Sequence, residues 1–270
     1  MLYLKKSALA ILLTLTTFSS FADAEGPLIE SSADSIVKHC DNKYPGENQK
    51  TQLSVTLKNR TGSEQHAVYK RFWQQTKDQQ EQLTLFTIMP LDAKNTAFMQ
   101  YTYPASLNKN TEQWMFIPSL RKLKRMSIRD LSDRFLGSEL THDDIRRRLP
   151  EDDSHTLLKV EDSKTAKRFL VESIPKERES IYSKKEVHYI FEKKSGQCLK
   201  SDITYYDKKG HLLKKQTITW QKVKDAWLWK RVAVINTQTF RSSLFEVRAP
   251  QVNEGVDKAW FTARALKKGI

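Results

Sequence analysis

The chain has 270 residues, 39% of them hydrophobic, and 46 Lys and Arg stand against 32 Asp and Glu for a formal net charge of +14. With only 8 Gly and 8 Pro, no internal repeat and no low-complexity linker, the composition excludes a string of small modules and fits one long domain. The cationic excess would suggest nucleic acid first in a cytosolic protein, so its meaning depends on the compartment.

The N-terminus settles how that charge is read. In MLYLKKSALAILLTLTTFSSFADAEGP, Lys5 and Lys6 form a positive leader, residues 8–18 an apolar run, and Ala22-Asp23-Ala24 a small-x-small cleavage site. The run is shorter than the roughly 20 residues of a spanning helix. Residues 1–24 are therefore read as a cleaved secretory signal and residues 25–270 as a soluble periplasmic domain. No Cys follows the cleavage site, Cys40 lying too far downstream, so a lipid-modified N-terminus is not expected. Removing Lys5, Lys6 and Asp23 leaves a net charge of +13. The anions available in the envelope are lipid head groups, lipopolysaccharide and acidic proteins, and nucleic acid is not an expected partner.

After the leader comes a helix. SSADSIVKHCDNKYPG has Ser31-x-x-Asp34 as a capping start, Ala33, Ile36, Val37 and Cys40 on one face, and Pro45-Gly46 as a stop. Short β-branched and aromatic segments follow in TQLSVTLKN, AVYKRFWQQ, EQLTLFTIMP and TAFMQYTYP, each bounded by turn residues. In WMFIPSLRKLKRMS a strand over 113–117, a Pro118-Ser119 turn and a second strand over 122–127 are expected. LTHDDIRRRLP predicts a short helix capped by Thr141-x-x-Asp144 and stopped at Pro150. From Lys184 to Thr237 four strands joined by KKSG, DKKG and KD turns form a meander of antiparallel hairpins. Strict alternation in DAWLWKRVAVINT puts Trp227 and Trp229 on one face and Leu228, Val232 and Val234 on the other. The fold class is mainly β: a large antiparallel sheet that must curl, with a few helices over its concave side. Cys40 and Cys198 sit in an oxidising compartment, and a disulfide and two buried thiols both remain open.

Residues 114–145, WMFIPSLRKLKRMSIRDLSDRFLGSELTHDDI, resemble the signature of the LolA-like outer-membrane lipoprotein-sorting proteins. That signature is a Trp-x-aromatic-x-Pro strand, a basic turn, and a Phe-x-Gly-Ser-acidic-aromatic-x-x-Glu/Asp-Asp segment. YYDKKGHLLK and WFTARALKKG are weaker matches in the family's order. Leu140 stands where the family usually has an aromatic, and His142 where a Tyr is common. The resemblance implies a half-barrel whose concave face is closed by helices over a hydrophobic cavity for acyl chains. It further implies a monomeric carrier of lipid or lipoprotein that works with an inner-membrane transporter of the resistance-nodulation-division (RND) superfamily and touches membrane only peripherally. On this basis Trp114, Phe116, Leu123, Met126, Phe135 and Leu136 are candidates for cavity wall or lid. Arg121, Lys122, Lys124 and Arg125 are candidates for the rim that meets a head group or partner. An envelope-stress sensor of the RseB type, built on the same half-barrel, is the alternative.

Other chemistries find no support in the residues. The six histidines show no metal-ligand spacing, and no G-x-S-x-G, Walker loop or G-x-G-x-x-G occurs. His142-Asp143-Asp144 could suggest a general base, but helix capping explains the acids. No enzyme activity, cofactor or metal is expected.

Overall fold

The computed structural model describes residues 32–107, 109–127, 131–146 and 148–270; the expected signal over 1–24 and the residue Ser31 lie outside that range. The first element is α1 (Ala33–Asp41), capped by Ser32, whose hydroxyl accepts from the Ser35 N–H at 3.2 Å. The start thus falls one residue later than the capping pattern suggested. Ile36, Val37 and Cys40 are buried as its spacing requires.

Thirteen strands follow. The first six are β1 (Asn48–Lys58), β2 (Glu64–Gln75), β3 (Glu81–Met89), β4 (Ala97–Thr102), β5 (Glu112–Ile117) and β6 (Lys122–Arg125). After a long connection carrying α2 (His142–Ile145) come β7 (Asp153–Asp162), β8 (Ala166–Pro175), β9 (Tyr182–Glu192), β10 (Cys198–Asp207), β11 (Leu212–Val223), β12 (Ala226–Asn236) and β13 (Ser242–Val252). The chain closes with α3 (Ala263–Lys268). Short turns make each run a meander, and β1 pairs with β13 in antiparallel register, Val55 opposite Phe245. One sheet results, in the order β6-β5-β4-β3-β2-β1-β13-β12-β11-β10-β9-β8-β7. Consecutive strands β6 and β7 therefore lie at opposite edges, and the connection between them must cross the whole sheet.

That crossing reveals the curvature. His142 bonds Gln113 on β5, its Nδ1 lying 2.9 Å from the Gln113 Oε1, while Asp144 accepts from the Tyr182 hydroxyl on β9 at 2.8 Å. In a flat sheet with strands about 4.8 Å apart, β5 and β9 would be about 43 Å apart. Two residues of chain span at most about 7 Å. Only a sheet bent into a half-barrel brings both strands to one segment.

The concave face carries two buried clusters. Leu53, Val55, Tyr69, Leu85 and Phe98 meet Val232, Val234, Phe245 and Val247 under Phe135 and Leu140. Ile36, Val37 and Cys40 of α1 cover Phe169, Val171, Val187, Tyr189 and Phe191 on β8 and β9. Cys40 is bonded to Cys198 on β10, a covalent tie across a sequence separation of 158. The third helix takes the other face. Phe261, Ala265 and Leu266 pack on Phe72, Phe86, Met99 and Phe116, whose pleat is opposite that of Tyr69, Leu85 and Phe98.

Two local differences from the sequence reading have identifiable causes. A β-bulge beside Thr219 and Trp220 leaves Lys230 as the extra residue, so alternation reverses along β12. Trp229 consequently joins the cluster of Val232, and Leu228 packs with Ala226 and Val252 instead. The helix expected through LTHDDIRRRLP is one turn long, because Arg146 is already extended.

Candidate functional site

Residues 131–146 lie across the concave face and behave in their contacts as a plug. Its tip is a turn, Phe135–Gly137, in which Leu136 and Gly137 both take left-handed backbone, at φ 54 and φ 72. Glycine accepts that conformation freely, whereas a leucine there carries strain of about 1–3 kcal/mol. The Ser138 hydroxyl donates to the Phe135 carbonyl at 2.6 Å, and the Phe135 N–H reaches the Leu140 carbonyl at 2.7 Å. These bonds satisfy the turn's buried backbone and point Phe135 at the sheet. There it meets Phe98 edge-on at 5.1 Å between ring centroids, and Leu140 lies in the same cluster.

Two acids pin the plug to the strands. Asp144 closes a capping box with Thr141. It also forms an ion pair with Lys214 on β11, the two side chains being 1% and 2% exposed, and accepts from Tyr182. Burial pushes the Asp144 carboxyl up, but the Lys214 ammonium and the Thr141 backbone outweigh it and hold the group below the usual carboxylate range. Burial likewise drives the neighbouring Tyr182 and Tyr205 hydroxyls well up and the Lys185 ammonium down. Glu139 forms the second pin, through Arg134, Arg241 at 3.2 Å and the Asn236 amide at 3.0 Å. Its backbone is held as well, the N–H by Ser243 at 2.9 Å and the carbonyl by Lys214 at 3.0 Å.

The pins differ in strength. Both members of the Asp144–Lys214 pair are buried, and removing one member of such a pair leaves a bare charge at a cost of about 3–5 kcal/mol. Arg134 and Arg241 are each more than a third exposed. Pairs with partners so accessible to water contribute only about 0–1 kcal/mol.

Beneath the tip the concave face is almost closed. An apolar crevice between Leu136 and Leu85, Phe98 and Met115 has a volume of about 10 Å³. That is the lower limit for one water molecule, against roughly 300–1,000 Å³ for a small-molecule pocket. The apolar wall exists, but the plug occupies the space an acyl chain would need.

The structure divides the residues singled out from sequence. Phe135 and Leu136 form the plug tip on the concave side. Trp114, Phe116 and Leu123 lie on the opposite face, packed with the C-terminal segment around Trp260 and Phe261. Met126 is half-buried beyond β6, its N–H bonded to the Gln113 carbonyl at 2.9 Å. Arg121, Lys122, Lys124 and Arg125 are exposed on the β5–β6 hairpin, where Arg125 pairs with Glu112. Lys214 and Glu139 were not foreseen as pins. The available signal was register: Lys214 alternates in phase with Gln216 and Ile218, which places a lysine on an inward face.

Residues 78–268 match the profile of a family described as "Uncharacterized protein". No curated protein matches the chain. Among solved structures, the chain is similar to a domain assigned to outer membrane lipoprotein sorting from Vibrio parahaemolyticus, at 24% identity and TM-score 0.75, covering 87% of this chain and 98% of that one. It is similar to a DUF1329 family protein from Desulfovibrio piger at 19% identity and TM-score 0.76, covering 87% and 97%. A LolA superfamily protein from Nitrosomonas europaea aligns at 16% identity and TM-score 0.62, covering 87% and 99%. At these identities the likeness establishes the fold.

Proposed function

The chain belongs to a LolA-like family, and on that premise we propose that it is a soluble periplasmic carrier that holds the acyl chains of a lipid or lipoprotein against its concave sheet. The observation that supports this most is the plug. The connection from one sheet edge to the other lies over an apolar wall and is fastened there by polar bonds, so it can leave without unpairing a strand.

Magnitudes favour exchange. Freeing Phe135 and Leu140 from the core forfeits about 1.5–3 kcal/mol each, whereas burying a sixteen-carbon chain returns on the order of 13 kcal/mol. The exposed partners of Glu139 add little resistance. The buried Asp144–Lys214 pair adds much more. The moving part is therefore the tip over 134–140, and the fixed part is α2, which stays pinned by Asp144. Phe135 and Leu136 form the lid in this reading, while Trp114, Phe116 and Leu123 seat the C-terminal segment. An RND-superfamily transporter is the proposed source or recipient of the cargo.

Native mass spectrometry of protein purified gently from the periplasm of its own host, with lipid extraction of the same sample, tests the reading. A discrete adduct that extracts as a lipid is expected. A bare mass, with no uptake of added phospholipid or lipopeptide, would contradict it.

A further inference from the structure

The turns of the half-barrel fall on two rims. Those after β1, β3, β5, β8, β10 and β12 share one end, here the upper rim, and those after β2, β4, β7, β9 and β11 share the other. Among the described residues, six large apolar side chains are more than half exposed: Met89, Leu91, Leu107, Leu120, Ile235 and Phe240. All but Leu107 lie at the upper rim. Leu91, Leu120 and Phe240 are each in a different turn, exposed by 75%, 66% and 74%. Chance placement over both rims and both faces would not gather them so.

Cations accompany these tips. Exposed Arg60, Lys94, Arg121, Lys176, Arg178, Lys208 and Lys209 lie in upper turns, and the lower turns carry Lys77, Lys109, Lys164, Lys194 and Lys224. Charge is thus found at both ends, and it is the apolar tips joined to it that set the upper rim apart. Between the β10–β11 and β12–β13 turns is an open recess of about 520 Å³, edged by Asp207, Lys208, Lys209, His211, Leu212 and Gln238. The plug is fastened at this end too, since Glu139 is held by Asn236, Ser243 and Lys214, at the upper ends of β12, β13 and β11.

We propose that the upper rim is a docking surface for an anionic lipid bilayer, with Leu91, Leu120 and Phe240 dipping between head groups and the surrounding Lys and Arg meeting lipid phosphates. The pattern favours a bilayer over a protein partner. Protein interfaces have a contiguous apolar core with a polar rim, whereas here single apolar tips stand apart. Leu120 and Leu91 are two strand spacings or about 10 Å apart along the sheet, and Leu91 and Phe240 four spacings or about 19 Å, with the polar β1–β2 turn between them. Between them is positive charge, the arrangement that binds interfacial lipid, where each cation near an anionic leaflet strengthens binding about fivefold. The use of this rim for cargo transfer rests on the carrier reading, and docking itself does not: it places the plug against the membrane, so that the tip opens toward lipid instead of water.

The test uses the full mature chain with its disulfide intact and protein-free vesicles. An environment-sensitive dye is attached to Leu120→Cys at the upper rim and, separately, to Leu107→Cys at the lower. With vesicles of phosphatidylethanolamine and phosphatidylglycerol the Leu120 probe brightens and the Leu107 probe does not. Phosphatidylcholine vesicles, which carry no net charge, give a weaker response that added salt does not change, whereas salt weakens the response to anionic vesicles because their attraction is screened over a Debye length of about 10 Å at 0.1 M. The variant L91S/L120S/F240S binds anionic vesicles more weakly by about tenfold per tip. Equal brightening of both probes, or none, overturns docking, as does brightening only when a solubilised membrane-protein fraction is added. Uptake of a fluorescent fatty acid by the triple variant is read separately. Unchanged uptake shows an intact fold, and loss of uptake in the unaltered protein would count against the carrier and leave the docking result standing.

Discussion

Two covers lie on the same concave sheet, and they are fastened in different ways. α1 sits over β8 to β10 and is bonded to β10 through Cys40 and Cys198. The plug sits over β1 to β4 and β11 to β13 and is held by charges, hydrogen bonds and the apolar side chains of Phe135, Leu136, Leu140 and Ile145. A covalent tie resists any displacement short of reduction. A set of polar pins yields to a ligand that offers more apolar contact than it displaces. The proposed function treats the first as a permanent wall and the second as a replaceable one, which makes the second the functional candidate.

The largest expected effect comes from the permanent wall. Cys40→Ala with Cys198→Ala opens a 158-residue loop, a loss of about 5 kcal/mol in the chain-entropy account. Denaturant unfolding should show that loss, and the fraction still folded should take up acyl probe as before. Asp144→Asn should come next, at about 3–5 kcal/mol, because Lys214 is left buried without its carboxylate. Adding Lys214→Met should restore most of it, a double-mutant cycle in which simple additivity would argue against the pair.

The same pair carries a pH dependence. The Asp144 carboxyl is held below its unfolded value, so its contribution is complete above the ordinary carboxylate range, about 3.9. It is lost as pH falls through the folded value. Protection of the α2 amides, taken relative to intrinsic exchange at each pH, should therefore fall at acid pH below that range and stay high at neutral pH, and Asp144→Asn should remove the difference.

Smaller effects should come from the tip. Gly137→Ala should lose about 1 kcal/mol, since φ is +72 while the added methyl would meet the Leu57 side chain at an ordinary 3.6 Å. Glu139→Gln should change stability by no more than about 1 kcal/mol, given its half-solvated arginines. It should nevertheless speed uptake of an acyl probe in stopped-flow fluorescence, because it loosens the part proposed to move. Faster uptake in Asp144→Asn but not in Glu139→Gln would reverse the assignment of fixed and moving parts.

Much of this architecture is legible in the sequence because strands and turns are local. KKSG, DKKG and KD lie between β9, β10, β11 and β12 as their turn chemistry requires. The β1–β13 pairing has no local signal, and it is what turns two meanders into one sheet and sends the β6–β7 connection across it. The Lys230 bulge defeated strict alternation for the same reason, since bulges answer to the partner strand. Capping correctly explained Thr141 and Asp144 but concealed the second role of Asp144, whose partner Lys214 is 70 residues away. In the Trp114 to Met126 stretch, alternation across β5 and β6 separates side chains that are neighbours in sequence, so an apolar run there could not reveal which face met the concave wall.

The most direct measurement ties the plug down. Leu136 and Met115 line the same crevice, so Leu136→Cys with Met115→Cys is the pair to oxidise, its cross-link to β5 verified by mass while Cys40–Cys198 is retained. Uptake of a fluorescent fatty acid is then compared between the tied protein, the untied dithiol and each single variant under the same redox conditions. The tied form should take up none, and the untied forms should take up the probe normally. Equal uptake by the tied protein would mean that acyl chains do not enter under the plug, and would contradict the role proposed for it.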